Sequence, residues 1–435
     1  MALKPLWRLI AGFIWFQVQR ICVGILESVV LFLNGTRKKI RENNDIYARS
    51  ARISSVHKWI LFDPWAAYNS TWNLITWHEG FVHPEYVLKD EVSLYCMTDE
   101  EAWFMEAPEG VEVWKSEYSA FHKIAQHEYA KNVIKMPLRS FYLLADKISD
   151  IKQKLIFLDF VPRSGSTLVG QIFEETGVCV NYSEPHFLNM YWGAQNHQKL
   201  LKITKAAIKF YCKPRKQLTS AFVFKCAPMG VSLAPVIFEL FPDAKLLHLT
   251  RNAIPNAISI FRVNQVVTTA RLLSSFLKIP YIGRIVNRKI LASMNLPLDD
   301  FTGKLFDESE DPDMLIGCYL HTRVQGIYMT KHRNAEYRMP VIKYEDVLSN
   351  REANIETLFQ FCGLDVNLVH KAMAAFDKDS QAGSPLSKDQ LEKNTSAPNM
   401  ANIEAIVNDV RKLGEHFGLG DVSGDFRLPG TITIG

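Results

Sequence analysis

The sequence predicts an α/β fold, a doubly wound and mainly parallel sheet with helices on both faces, preceded by an aromatic-rich accessory region. Three observations carry that expectation. From Lys154 onward, short and almost wholly apolar runs alternate with helical segments, the pattern of strands covered on both faces by crossover helices. The first of these runs passes through a Gly- and Ser-containing turn straight into a helical pattern. Before residue 150 the texture differs, with tryptophans crowded into one stretch and no such alternation.

Taken in order, residues 1–44 form an apolar helical segment. Leu6 to Leu33 is strongly apolar, but Arg8, Gln17, Gln19, Arg20 and Glu27 interrupt it before an uncharged run reaches spanning length. No small-residue cleavage site follows a short apolar core, so a removable signal peptide fits poorly. An interfacial anchor, a weak signal anchor and a helix packed on the protein remain open. The density of Trp, Phe, Ile and Leu around its circumference favours membrane association through residues 6–33. If it spans, the flank Arg37, Lys38, Lys39 and Arg41 outweighs Lys4 and Arg8, which favours the cytoplasmic face and leaves the Golgi lumen as the alternative.

Residues 45–150 read as an accessory region packed on the core. Trp59, Trp65, Trp72 and Trp77 are expected in the core in preference to an acceptor pocket, with strands at Val92 to Met97, Ala102 to Met105 and Val111 to Trp114. Residues 151–435 hold the main domain and a C-terminal extension. Its expected strands are Leu155 to Phe160, Ala221 to Phe224, Lys245 to Thr250 and Pro340 to Tyr344. Helices are expected at Ser166 to Thr176, Val231 to Leu240, Pro255 to Asn264, Asp313 to Arg333, Arg351 to Cys362 and Ile403 to Phe417. The Ser, Pro and Lys mixture from Asp379 to Asn399 reads as a surface loop or gate.

Composition narrows the functional classes. The chain has 435 residues, 48% hydrophobic and 22% charged, enough to bury a substantial core. Its formal net charge of +4 is spread along the chain, so nucleic acid is not implied as a partner. The seven cysteines are widely spaced and form no C-x-x-C pair, which argues for buried free thiols over zinc or a redox dithiol. Sequons at Asn34, Asn69, Asn181 and Asn394 occur at about the frequency chance allows and establish no secretory route.

The strongest chemical signal is Val161-Pro162-Arg163-Ser164-Gly165-Ser166-Thr167-Leu168, set between an apparent strand and an apparent helix. Such a loop aims successive backbone N–H groups at an anion, and the helix start adds a favourable partial charge. Gly165 permits close approach of the backbone, Ser166 and Thr167 offer hydroxyls, and Arg163 offers a fixed positive charge. The loop lacks the Lys of a G-x-x-x-x-G-K-[ST] nucleotide triphosphate loop. A second signal lies downstream, where Arg251 ends a strand and Ser259 follows eight positions later. Arg presents a planar fork to a phosphate and Ser a smaller donor.

Together the two segments resemble those of sulfotransferases that use 3'-phosphoadenosine 5'-phosphosulfate (PAPS), a family with a P-loop NTPase-like fold. The resemblance implies that Arg163, Ser164, Gly165, Ser166, Thr167 and Leu168 bind the 5'-phosphosulfate of PAPS without a required metal. It also implies that Arg251 and Ser259 bind the 3'-phosphate. Further segments are similar: Asn181-Tyr182-Ser183-Glu184-Pro185 where related Golgi-type enzymes carry an acidic base, and Phe224-Lys225-Cys226-Ala227-Pro228 at a strand end. Val341-Ile342-Lys343-Tyr344-Glu345-Asp346-Val347 and Phe359-Gln360-Phe361-Cys362-Gly363-Leu364 also match. The implied catalytic residues are Glu184 as base with Arg163 and Lys225, while His186 beside Glu184 is the alternative base. The catalytic His and the C-terminal R-K-G-x-x-G segment common in cytosolic members are both missing from a matching context in this sequence. The implied activity is sulfuryl transfer from PAPS to a hydroxyl or amine, on a carbohydrate, lipid, peptide or small alcohol.

Overall fold

A computed structural model describes residues 3–59, 70–185, 196–226, 234–267, 279, 281–293, 296–309, 312–333, 339–396 and 398–432. The chain divides into two compact units. Unit 1 comprises residues 1–152 and 195–218, and unit 2 comprises 153–194 and 219–435. The passage near residue 150 therefore coincides with a unit boundary, but residues 195–218 leave the main domain and return to unit 1.

Unit 1 opens with a long helix, α1 (Leu3–Leu33), and a short one, α2 (Thr36–Asn44), joined through a left-handed Gly35. An antiparallel sheet follows, built from β1 (Ala51–Trp59), β2 (Leu74–Val82), β3 (Val92–Met97), β4 (Glu101–Glu106) and β5 (Asn132–Pro137) in the order β2-β1-β5-β4-β3. The expected strands at 92–97 and 102–105 pair with each other. The expected strand at Val111–Trp114 is instead a series of turns, because Pro108 and the left-handed Gly110 break extension, and β4 takes β5 as its second partner. The tryptophans also depart from expectation. Trp72 is 62% exposed, lying under the Arg20 guanidinium, and Trp77 is half-buried; Trp65 and the Trp59 side chain lie outside the described residues. The core is carried instead by Phe104, Phe141 and Phe210, the last brought in by the His197–Tyr211 helix, with Phe141 and Phe210 stacked at 4.7 Å.

Unit 2 holds a wholly parallel sheet of β6 (Lys154–Phe160), β7 (Cys179–Ser183), β8 (Ala221–Lys225), β9 (Lys245–Thr250) and β10 (Val341–Lys343), in the order β10-β9-β6-β8-β7. These strands are apolar along nearly their full length because both faces are covered: Leu155 through Phe160 are all buried. β7 was not expected from sequence; its Cys-Val-Asn-Tyr-Ser run is short and half polar, as suits an edge. The chain begins at the centre with β6, winds outward to β7 and back to β8, then crosses to β9 and β10 on the other side. The winding direction reverses at β6, and in open sheets of this kind the carboxyl end of the strand at which the order reverses is where ligands bind. The Ser166–Glu174 and Arg351–Cys362 helices close one face, with Phe173 stacked on Phe359 at 5.7 Å. The Asp379–Asn399 stretch is more ordered than a plain loop, containing the Lys388–Asn394 helix and a buried Gln381.

Candidate active site

β6 ends at Phe160, and the chain turns through Val161–Gly165 into the helix that begins at Ser166. Arg163 and Gly165 both take positive φ, 65° and 79°, on either side of Ser164. That alternation folds the loop back over the helix start. Only glycine tolerates the Gly165 position, since its φ is left-handed and a Cβ there would fall on the Tyr344 ring. The N-cap is Gly165, which has no side chain to cap the first N–H groups of the helix. The Ser164 hydroxyl is buried with no hydrogen-bond partner among the described residues.

One arm of the site lies on β9 and the helix after it. Arg251 Nη1 donates to the Arg163 carbonyl at 3.2 Å, and its guanidinium sits 4.8 Å from the centre of the Tyr344 ring. Arg163 Nε donates to Ser259 Oγ at 3.0 Å, where Ser259 is held on the Ala253–Val266 helix. Arg163 is pushed down to about 10, first by burial and then by the neighbouring Arg251 cation. Two guanidinium groups are thus held together at one loop.

The other arm lies on β7 and β8. Lys225 ends β8 with its ammonium almost fully buried, donating to Thr167 Oγ1 at 3.1 Å and pairing with Glu184 Oε1 at 2.9 Å. Burial lowers the Lys225 pKa, and the Glu184 carboxylate works against that shift. Glu184 follows β7 in a left-handed conformation, φ 56°, fixed by its backbone N–H donating to the Lys225 carbonyl at 2.9 Å. A non-glycine residue held there stores strain, which accumulates where a side chain must be aimed.

Every residue expected at the site from 163 to 168, together with Glu184, Lys225, Arg251 and Ser259, therefore lies on or beside the one loop. Leu168 contributes packing from the first turn of the helix. His186 lies outside the described residues. Several contributors carried no sequence signal for the site. Asn256 Nδ2 donates to the Pro162 carbonyl at 2.6 Å, the His321 ring donates from Nε2 to the Arg251 carbonyl at 2.8 Å, and Gln381 Nε2 donates to Thr167 Oγ1 at 2.9 Å. Glu345 accepts from the Asn252 N–H at 3.1 Å, which anchors the turn after Arg251 and agrees with a structural part for the Tyr-Glu-Asp segment.

The model of the sulfotransferase domain family matches residues 154–405. The chain belongs to the sulfotransferase family. As a sulfotransferase it moves a sulfuryl group from PAPS to an acceptor. Solved structures similar to it include the sulfotransferase domain of the Synechococcus PCC 7002 olefin synthase, at 16% identity over 65% of this chain and 98% of that one, with a TM-score of 0.33. A sulfotransferase from Alicyclobacillus acidocaldarius is 13% identical over 60% and 96% of the two chains, TM-score 0.32. One from Mycobacterium avium is 12% identical over 65% and 79%, TM-score 0.35. Among curated proteins no sequence match is found.

Proposed function

We propose that Arg163 to Leu168 and Lys225 bind the 5'-phosphosulfate end of PAPS in this sulfotransferase, that Arg251 and Ser259 bind its 3'-phosphate, and that Glu184 is the general base. PAPS supplies an activated sulfuryl group; the remaining roles belong to this chain. The observation that carries the reading is the pair of contacts from Arg163 to Ser259 and from Arg251 to the Arg163 carbonyl, which bring the segments proposed for the two ends of the nucleotide to one loop. The site suits a polyanion in three further respects. The Ser164 hydroxyl is buried and unpartnered among the described residues, the helix start is uncapped, and the Arg163 and Arg251 cations repel each other.

In this reading Arg163, Lys225, Ser166, Thr167 and the loop N–H groups stabilise negative charge as the sulfuryl group departs, while Lys225 also orients the Glu184 carboxylate. Glu184 accepts the acceptor's proton. The loop has no Lys where a magnesium-dependent triphosphate loop places one, so turnover is expected to persist in excess chelator. We also propose that the chain associates with membranes through α1, whose Ile10–Leu33 portion is long and apolar enough to cross one, with a mean hydropathy of 1.6.

Calorimetric titration with PAPS, adenosine 3',5'-bisphosphate and ATP tests the nucleotide reading. Arg251→Ala should weaken PAPS binding by about 1.5–3 kcal/mol, roughly tenfold to more than a hundredfold, and Ser259→Ala by less. ATP should bind the wild type poorly. Unchanged PAPS affinity in both variants removes these two residues from the site.

A further inference from the structure

Four of the five polar residues that interrupt the apolar run of α1 lie on one side of it. Gln17 Nε2 donates to the Trp72 carbonyl at 3.3 Å, Gln19 Oε1 accepts from Lys58 Nζ at 3.1 Å, and Glu27 Oε1 accepts from the His78 backbone N–H at 2.6 Å. Arg20 lies over the Trp72 ring at 4.4 Å. With Phe16, which is buried against Ile75, and Val23, these residues form one stripe that packs on β2, the edge strand of the unit 1 sheet, on Trp72 just before it and on Lys58 of β1. Only Arg8 of the five stays exposed. The sheet has consumed the polar face, so the outward face from Ile10 to Leu33 contains no charge. It presents Phe13, Ile14, Trp15, Val18, Ile21, Ile25, Leu26, Val29 and Phe32 to solvent, with Trp15 60% exposed and Phe32 68%.

We propose, resting on the membrane reading above, that α1 does not cross the bilayer but lies in its surface plane on an anionic membrane, with this outward face in the acyl boundary and the unit 1 sheet behind it. A spanning arrangement would carry Glu27 and the hydrogen-bonded edge of β2 into hydrocarbon, where polar backbone and carboxylate have no water to meet them. An in-plane arrangement leaves every one of those bonds intact. Lipid is the occupant that the charge selects. α2 follows α1 directly, has no buried residue, and carries Arg37, Lys38, Lys39 and Arg41 against a single acid, Glu42. A basic segment beside an apolar face with an outward Trp is the surface that anionic headgroups attract.

The full chain can be tested in vesicles of phosphatidylcholine with phosphatidylserine. Cys22 is exposed and the other six cysteines are buried, so a Cys22→Ser background permits single nitroxide labels at Ile14→Cys, Val18→Cys, Ile21→Cys, Ile25→Cys and Val29→Cys. The inference expects all five labels at one shallow depth. A spanning helix would spread them over roughly 20 Å, deepest in the middle and shallow towards both ends. That profile overturns the in-plane inference while leaving membrane association standing. Failure to bind vesicles at all overturns both, as would labels that couple to one another in a dimer which excludes lipid. Replacing Arg37, Lys38, Lys39 and Arg41 with Gln should reduce partition into the anionic vesicles by roughly tenfold or more and leave partition into pure phosphatidylcholine unchanged. Equal loss in both vesicle types would contradict the electrostatic part.

Discussion

Glu184 is held by two constraints that act on different atoms. Its backbone is fixed in the left-handed region by a hydrogen bond to β8, and its carboxylate is tied to the buried Lys225 ammonium at 2.9 Å. The same ammonium reaches Thr167, so the proposed base after β7 and the proposed anion loop after β6 are connected through one side chain. Glu184→Gln preserves shape and removes basicity, and should lower turnover by about a hundredfold to ten-thousandfold with donor affinity nearly intact. Single-turnover rates set against calorimetric PAPS affinity provide the check. Wild-type turnover in Glu184→Gln, with loss in His186→Ala, would transfer the base to His186. The variant also leaves Lys225 buried without its anion, so the Lys225 pKa should fall further in Glu184→Gln than in the wild type.

At the scale of the element, the anion loop depends on a shape that one added carbon would spoil. Gly165 combines φ 79° with the Tyr344 ring pressed where a Cβ would stand. Tyr344 in turn supports Arg251, so displacement of the ring disturbs both proposed phosphate contacts at once. Gly165→Ala is expected to destabilise the fold by about 1–3 kcal/mol and to weaken PAPS binding by at least about tenfold. Denaturant melts and calorimetry on the same preparation would measure the two effects. A variant with native stability and affinity would show that the loop tolerates a rearranged Tyr344. Gln381 is a second dependence, because a segment more than two hundred residues downstream supplies a hydrogen bond to Thr167 in the first turn of the helix that follows the loop.

Across the whole molecule, three buried histidines bear on acid stability. Burial holds His122 and His127 in unit 1 and His321 in unit 2 down to about 4. An unfolded histidine takes its proton near 6.5, so between about pH 6.5 and pH 4 the unfolded chain binds more protons than the folded one. Stability from these groups is therefore complete above about pH 6.5 and is lost as the pH falls towards 4. Each should contribute about 1–3 kcal/mol of that loss. Denaturant melts from pH 7 to pH 4 should show falling midpoints for both units, and His321→Gln should flatten the fall in unit 2. A midpoint that rose on acidification would contradict the burial of these rings in the folded state.

The segments of the proposed donor site stand out in the sequence because they obey local rules. A strand, a glycine that must take positive φ and a helix start are decided within a dozen consecutive residues, and Arg251 and Ser259 are spaced by the strand end and helix that carry them. Alternating apolar runs likewise determined the parallel sheet, since strands buried on both faces must be apolar throughout. Tertiary structure decided what depends on distant partners. Tyr344, Asn256, His321 and Gln381 reach the loop and the end of β9 only through packing of segments far apart in the chain. The return of residues 195–218 to unit 1 is another such choice, because an amphipathic helix specifies an apolar face without specifying which core receives it. In α1 the interrupting polar residues are visible in the sequence, but only tertiary contacts with Lys58 of β1, Trp72 and His78 of β2, which take up four of the five, determined that the face left outside is uncharged.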